Sequence, residues 1–125
     1  MNIEQINLYT RIEQELNGIN PRKFKTETRK RYKRYCLKFA KVLIENNVRI
    51  TSIRNINNEH LKIYAKLMLA LGRNIKIVME ELRGVVYWHT ALNNGNSFFR
   101  YKHLMDLRIL QRYLENQEAS NNEDK

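Results

Sequence analysis

Glycine and proline are scarce in this sequence, with four glycines and one proline among 125 residues. A β-sheet protein of this length usually needs more of both, because they form the tight turns between its strands. The shortage therefore favours a protein built from helices. A chain of 125 residues has the length of one domain and can bury a hydrophobic core without disulfides or metal ions.

Cysteine and long apolar runs are also nearly missing. The single cysteine, Cys36, has no partner for an internal disulfide, so we expect a reducing, cytoplasmic environment. No apolar run approaches the roughly 20 residues that cross a bilayer. The N-terminal sequence MNIEQINLYTRIEQ has no apolar stretch of the kind found in secretory signals. These absences predict a cytoplasmic protein without a membrane partner.

Catalytic and metal-binding motifs are missing as well. The sequence contains none of the glycine-rich phosphate loops, the nucleophile elbow or the HExxH zinc motif. Three different predicted helices carry the three histidines: His60, His89 and His103. None has a second His or Cys at ligand spacing, Cys36 is expected to be buried, and Glu80–Glu81 is expected to be solvated. We predict no enzyme activity, no metal, no cofactor and no small-molecule ligand.

What the sequence does contain is a series of five amphipathic segments with the 3.6-residue period of an α-helix. Their predicted limits are about 2–17, 26–46, 57–71, 74–93 and 97–117. Thr26 or Thr28 can cap the second helix, Asn57 the third and Ser97 the fifth, while Gly72 suits a left-handed position after the third. The connector VRITSIRNI is expected to be irregular or 3₁₀, with a short strand as the alternative. The predicted fold is all-α, a compact bundle of four to five helices forming one domain over 1–117, followed by a disordered acidic tail at 118–125.

The positive charge is concentrated in one segment. Residues 22–41 contain ten basic residues and one acid, a net charge of +9, whereas the remaining chain has 13 basic and 12 acidic residues. Such a distribution is typical of a surface that contacts a polyanion. The basic residues of this segment are Arg22, Lys23, Lys25, Arg29, Lys30, Arg31, Lys33, Arg34, Lys38 and Lys41.

The second predicted helix has two faces when its residues are spaced at about 100° each. One is apolar and should contact the core: Tyr32, Tyr35, Cys36, Phe39, Ala40 and Leu43. The opposite face is cationic: Lys30, Arg34, Lys38 and Lys41. Arg31 and Lys33 lie on the flanks, and Arg29 lies nearer the apolar side. We therefore expect the two tyrosines to be core residues with hydroxyls at the rim, rather than platforms for stacked bases.

The cationic face has almost no acid to compensate its charge. Glu27 can pair with Arg31, and the next acid is Glu45. Like charges stand four residues apart repeatedly, and each such pair costs roughly a few tenths of a kcal/mol in an isolated helix. Solvated faces usually mix charges of both signs. The pattern favours nucleic acid as the partner, with an acidic protein or membrane surface and an incidentally basic surface as the alternatives.

The middle of the chain, residues 26–95, resembles the core-binding domain of tyrosine recombinases (phage-type integrases). The stretch TETRKRYKRYCLKFAKVLIEN looks like the first helix of that domain. The stretch ITSIRNINNEHLKIYAKLMLALGRN follows, in which Ile50, Ile53 and Ile56 lead into a helix closed by Leu71–Gly72. The last match is IKIVMEELRGVVYWHTALNNG. The resemblance lies in hydrophobic spacing and helix caps.

The resemblance implies a SAM-like bundle of four helices that forms half of a clamp around double-stranded DNA. It points to the cationic face of the first matched helix and to three residues that open a later helix: Arg73, Asn74 and Lys76. A helix N-terminus there also favours phosphate. Together with the ten basic residues of 22–41, these three complete the set of predicted DNA contacts.

The chain departs from that family after residue 95. Recombinases continue into a catalytic domain with an HxxR motif, whereas the three histidines here begin HLKI, HTAL and HLMD. We therefore expect a non-catalytic phage or mobile-element accessory or regulatory protein that contacts DNA phosphates. The alternative from another class is an interaction module that dimerises or binds an acidic protein partner through the helix 97–117. RNA binding through the basic face is a third reading.

Overall fold

The computed structural model describes residues 1–21, 25–93 and 104–123, with side chains described as far as Gln117. Five α-helices and one short 3₁₀ helix follow one another along these residues. They are α1 (Ile3–Asn17), α2 (Thr26–Glu45), the 3₁₀ turn (Ile53–Asn55), α3 (Asn58–Ala70), α4 (Ile75–Asn93) and α5 (Leu107–Glu123). No strand occurs within this part of the chain, so the predicted all-α bundle is confirmed.

Asparagine side chains form capping boxes at the N-terminal ends of two helices. Asn2 accepts a hydrogen bond from the Gln5 amide at 2.8 Å, and the Gln5 side chain accepts one from the Asn2 amide, which completes a capping box. Asn57 and His60 form the corresponding pair at the start of α3. The predicted cap at Asn57 is therefore confirmed.

The N-terminus of α2 differs from the prediction. Its cap residue is Lys25, which makes no side-chain capping hydrogen bond, and Thr26 is already the first helical residue. The Thr26 hydroxyl accepts a hydrogen bond from the Arg29 guanidinium at 3.1 Å. The prediction that Thr26 or Thr28 caps this helix is wrong. Both threonines lie inside the helix, and the Thr26 hydroxyl binds the Arg29 guanidinium instead of capping a backbone amide.

Helices α2 and α4 pack against each other in antiparallel fashion at the centre of the bundle. Tyr32 and Tyr35 of α2 lie against Gly84 of α4, while Lys38, further along α2, reaches Glu81, which comes earlier in α4. A Cβ atom placed on Gly84 would lie 3.1 Å from the Tyr32 Cα and 3.2 Å from its carbonyl oxygen. The absence of a side chain at position 84 therefore allows the two helices to approach this closely.

Helix α1 crosses the other side of α2, again antiparallel. The Gln5 side-chain amide donates to the Ile44 carbonyl at 2.9 Å, and the Lys33 ammonium donates to Asn17 at the opposite end of α1. Ile12 and Leu16 bury themselves completely in the core between these two contacts. Helix α1 thus packs along α2 from Lys33 to Ile44.

The connector between α2 and α3 contains a 3₁₀ turn, which confirms the irregular structure expected there. Ile53 donates its amide N–H to a Glu15 carboxylate oxygen at 2.8 Å, and its carbonyl lies 2.8 Å from His89 Nδ1. Ser52 donates its hydroxyl to the same carboxylate. The turn is therefore fixed to α1 on one side and to α4 on the other.

Helix α5 begins later and ends later than the sequence predicts. Leu104–Asp106 are not helical, and the Asp106 carboxylate accepts a hydrogen bond from the Arg108 amide at 2.8 Å at the start of the helix. Hydrogen bonds from Arg108 lower the pKa of this carboxyl to about 2. The predicted cap at Ser97 lies outside the described residues. The helix continues to Glu123, so residues 118–123 are helical where a disordered tail was expected.

None of the described helices combines the length and the apolar composition needed to cross a bilayer.

Candidate nucleic-acid interface

Helix α2 has the two faces that its sequence predicts. Its apolar face lies in the core, with Tyr32, Cys36, Phe39, Ala40, Leu43 and Ile44 buried. Tyr35 packs partly buried against the same core, and the Tyr32 ring contacts the Tyr87 ring edge-on at 5.5 Å between centroids. Both tyrosines therefore serve the packing of the bundle. Burial raises the pKa of the Cys36 thiol far above its usual range, so this cysteine is not a reactive nucleophile.

The opposite face of α2 carries the residues that we call the cationic strip: Lys30, Arg34, Lys38 and Lys41. All four are exposed. At 1.5 Å per residue, the eleven steps from Lys30 to Lys41 extend over about 16 Å of helix. Three members make no ion pair with a described acid: Lys30, Arg34 and Lys41. The strip is thus a row of four exposed cations, three of which have no acidic partner among the described residues.

Lys38 is the exception within the strip. Its ammonium lies 2.5 Å from Glu81 Oε2, and Glu81 is only 4% exposed. The Tyr64 hydroxyl donates to the other oxygen of the same carboxylate at 2.9 Å. The prediction that Glu81 is solvated is wrong, and Lys38 neutralises a buried carboxylate instead of presenting a free charge.

Glu81 is buried because of its position on α4, although glutamate is usually a surface residue. Position 81 lies on the side of α4 that carries Val78, Leu82 and Val85, all of them buried. A carboxylate at such a position needs hydrogen-bonding partners, because an unpaired buried charge is strongly destabilising. Tyr64 and Lys38 supply them from α3 and α2. Burial, with Glu81 as its neighbour, raises the pKa of Tyr64 and keeps its hydroxyl a donor.

The two flanking cations of α2 are partly engaged. The Arg31 guanidinium lies 3.9 Å from a Glu80 carboxylate oxygen and 5.6 Å from the centre of the Tyr32 ring. Glu80 also pairs with Arg83, so it is shared between two arginines. Lys33 donates to Asn17 of α1. These residues keep their charge beside the strip, but their positions are fixed by the neighbouring helices.

The predicted contacts before the strip fall into three groups. Lys25 is exposed at the helix cap. Arg29 is half-buried and donates to Asn20 Oδ1 and to the Pro21 carbonyl, so it ties the α1–α2 connector to the helix. Arg22 and Lys23 lie outside the described residues. The sequence predicted that Arg29 lies near the apolar side of the helix, but it did not predict these hydrogen bonds to the connector.

The remaining three predicted contacts lie at the start of α4. Arg73 and Lys76 are exposed, whereas the Asn74 side chain accepts a hydrogen bond from the Lys76 amide at 2.8 Å and caps the helix. The antiparallel pairing of α2 and α4 places this helix start toward the Lys41 end of the strip. Arg73 and Lys76 can therefore extend the basic surface, while the Asn74 carboxamide oxygen is already used.

The described residues contain no group of three His, Cys, Asp or Glu side chains arranged to hold a metal ion. His60 and His89, the two histidines within the described ranges, lie on α3 and α4, and His89 contacts the Ile53 carbonyl. Neither belongs to the basic surface. The basic surface around α2 is thus the strongest candidate site in the described structure.

Comparison with known proteins adds no family to this description. No protein-family model matches the chain, and no curated protein or solved structure shows significant similarity to it.

Proposed function

We propose that this chain is a non-catalytic DNA-binding domain that contacts the phosphate backbone of duplex DNA through α2. The single observation that carries the proposal is the cationic strip, in which three of four exposed cations have no acidic partner in the described structure. Phosphate contacts of this kind supply most of the non-specific affinity of DNA-binding proteins. They position a protein on the duplex without reading its bases.

The pairing of the acids next to α2 supports a polyanionic partner. Glu80 and Glu81 both lie on α4 next to α2, yet Glu81 binds only Lys38 of the strip and Glu80 binds the flanking Arg31. Lys30, Arg34 and Lys41 are therefore left to repel one another. An external row of phosphates relieves this repulsion, since duplex DNA carries about one negative charge per 1.7 Å of its axis.

The packing of α2 argues against a membrane as that partner. A helix that binds a bilayer surface inserts its apolar face among the lipids. The apolar face of α2 is buried in the core, where Cys36, Phe39 and Leu43 have no exposed surface. Only the charged side of the helix is available to a partner, and a rigid polyanion such as DNA fits that side.

The resemblance to the core-binding domain of tyrosine recombinases suggests the biological setting. In that family the DNA-binding half of a clamp is a small SAM-like bundle, and the sequence of residues 26–95 resembles it in hydrophobic spacing. We place the protein beside such a system, as a phage or mobile-element accessory or regulatory factor in a reducing cytoplasm. The buried thiol of its single cysteine is compatible with that compartment.

Salt dependence of duplex DNA binding tests the proposal. With three to five phosphate contacts, the logarithm of the binding constant should fall against the logarithm of salt concentration with a slope of roughly −3 to −5. The triple variant Lys30→Gln, Arg34→Gln, Lys41→Gln should make that slope less steep by about 2.7, at about 0.9 per lost contact. Fluorescence anisotropy with a labelled duplex measures both values.

A control with the same loss of charge separates local contacts from net charge. Arg11, Arg54 and Arg112 are exposed cations on other elements, and their replacement by glutamine should leave the slope nearly unchanged. A slope near zero for the unmodified protein, or equal effects of the two triple variants, contradicts the proposal. Competition with single-stranded DNA and structured RNA at fixed salt distinguishes duplex DNA from RNA as the preferred partner.

A further inference from the structure

A small cavity opens beside the N-terminal end of the cationic strip. It lies between the end of α1, residues 19–21 and the first turns of α2, with Trp88 of α4 forming part of its wall, and its volume is about 170 Å³. Pockets for drug-sized ligands usually occupy about 300–1,000 Å³, so this one suits a smaller group. Its polar lining consists mainly of Asn17, Asn20, Arg29, Lys30 and Lys33.

The described lining contains three cations and no carboxylate. Two of the cations are held in place by hydrogen bonds within the cavity wall, since Lys33 donates to Asn17 Oδ1 and Arg29 donates to Asn20 Oδ1. The two asparagine oxygens are thereby occupied, and the side chains around the cavity present mostly donors. Such a lining is complementary to an anion with several acceptor oxygens.

Trp88 contributes a buried hydrogen-bond donor to the cavity wall. Its side chain is nine-tenths buried or more, with 3% of the residue exposed, and its indole Nε1–H has no acceptor among the described residues. Buried donors are nearly always paired, because an unpaired one loses its hydration without compensation. The Arg29 Nε–H, in the same wall, is also buried without an acceptor. Two side chains of the cavity wall thus carry buried donors that have no acceptor among the described residues.

The first turn of α2 contributes a third feature. Thr26 belongs to the cavity lining, and the cap residue Lys25 provides no side-chain acceptor for the first amides of the helix. The N-terminus of a helix carries partial positive charge, and its free N–H groups favour phosphate or carboxylate oxygens. The helix end, the two buried donors and the three cations all favour the same kind of ligand.

We propose that this cavity binds one phosphate group, and that in the DNA complex it receives a backbone phosphate adjacent to the cationic strip. The second part rests on the proposed function. Lys30 belongs to both the cavity lining and the strip, so a strand whose phosphates follow α2 passes the cavity mouth. The cavity would then fix the position of the duplex along the helix, whereas the strip supplies attraction without a fixed register.

The single tryptophan makes the test direct, because its indole N–H gives one isolated signal in a ¹H–¹⁵N spectrum. Addition of inorganic phosphate at constant ionic strength should shift this signal in a saturable manner, while an equal concentration of chloride should not. Lys33→Gln should weaken phosphate binding about fivefold, the effect of removing one charge about 4 Å away in water. Arg112→Gln, an exposed cation on α5 outside the lining, should leave phosphate binding unchanged.

Addition of a duplex without terminal phosphates distinguishes the two sources of phosphate. An indole shift with both the duplex and inorganic phosphate supports the whole inference. A shift with phosphate alone, in a protein that binds the duplex, overturns the assignment of a backbone phosphate and leaves an ion site. No shift with either ligand overturns the cavity, even if anisotropy shows DNA binding. A phosphate-induced shift without any DNA binding retains the cavity and rejects the proposed function.

Discussion

Lys38 shows how a single residue can look functional in sequence and act structurally. It lies on the same face of the helical wheel as Arg34 and Lys41, and its side chain is 43% exposed, yet its ammonium pairs with the buried Glu81. The wheel predicts which face a residue lies on, but not where a long side chain ends. The pairing depends on α4, whose register against α2 the sequence does not reveal.

Replacement of Lys38 should therefore affect stability more than DNA binding. Lys38→Met leaves the Glu81 carboxylate with Tyr64 as its remaining partner and should lower the free energy of unfolding by about 1–3 kcal/mol. Lys41→Met, with no such partner, should change it by about 0.5 kcal/mol or less. Urea unfolding followed by circular dichroism measures both. For the salt slope of DNA binding, Lys41→Met should have the larger effect. A larger change in slope for Lys38→Met would show that the Lys38 charge is free to contact DNA.

At the scale of the helices, the sequence predicts the elements better than their contacts. The capping residue Asn57, the left-handed Gly72 (φ +83°) and the buried face of α2 all follow from local chemistry. The late start of α5 does not, because Leu104 continues the apolar period, whereas the helix begins only at Leu107, where the Asp106 carboxylate binds the Arg108 amide. The α1–α2 cavity likewise depends on three elements and Trp88, so no local pattern indicates it.

The α2–α4 contact gives a prediction of its own. Gly84→Ala improves helix propensity by about 0.8–1.0 kcal/mol, but its Cβ would press on the Tyr32 backbone, which cannot rotate away. We expect a net loss of about 1–3 kcal/mol in unfolding free energy, as found for overpacked cores. Gly18→Ala is the matched control, because Gly18 has a helical φ of −79° and its added Cβ meets no atom closer than 3.4 Å. Equal stability of the two variants would show that α2 and α4 can separate freely.

At the scale of the whole molecule, the exposed cationic strip and the core-facing apolar residues lie on opposite sides of α2. The apolar face of α2 contacts α1, α3 and α4, and this arrangement leaves the strip on the outside. Helix α5 contributes Leu110 and Leu114 to the same core, which weakens the alternative that the predicted helix 97–117 is a free docking surface. Ile109 remains 57% exposed on that helix.

We therefore expect a monomer in solution without DNA. Light scattering over a hundredfold concentration range should give a constant mass close to 15.1 kDa, because Leu110 and Leu114 of α5 are already buried in the core and only Ile109 is exposed. Ile109→Lys should leave that mass unchanged. A mass that rises with concentration in the original protein and returns to the monomer value in the variant would establish α5 as a dimer interface.

The attachment of the 3₁₀ turn to two helices has a consequence for hydrogen exchange. Loop amides usually exchange rapidly, because small local openings expose them to solvent. The Ile53 amide is bound by Glu15, and its carbonyl contacts His89, so its exposure requires α1 to separate from the rest of the bundle. Ile53 should therefore exchange as slowly as the middle of α1, whereas Thr51, exposed two residues earlier, should exchange quickly. A connector amide thus reports on the docking of the N-terminal helix.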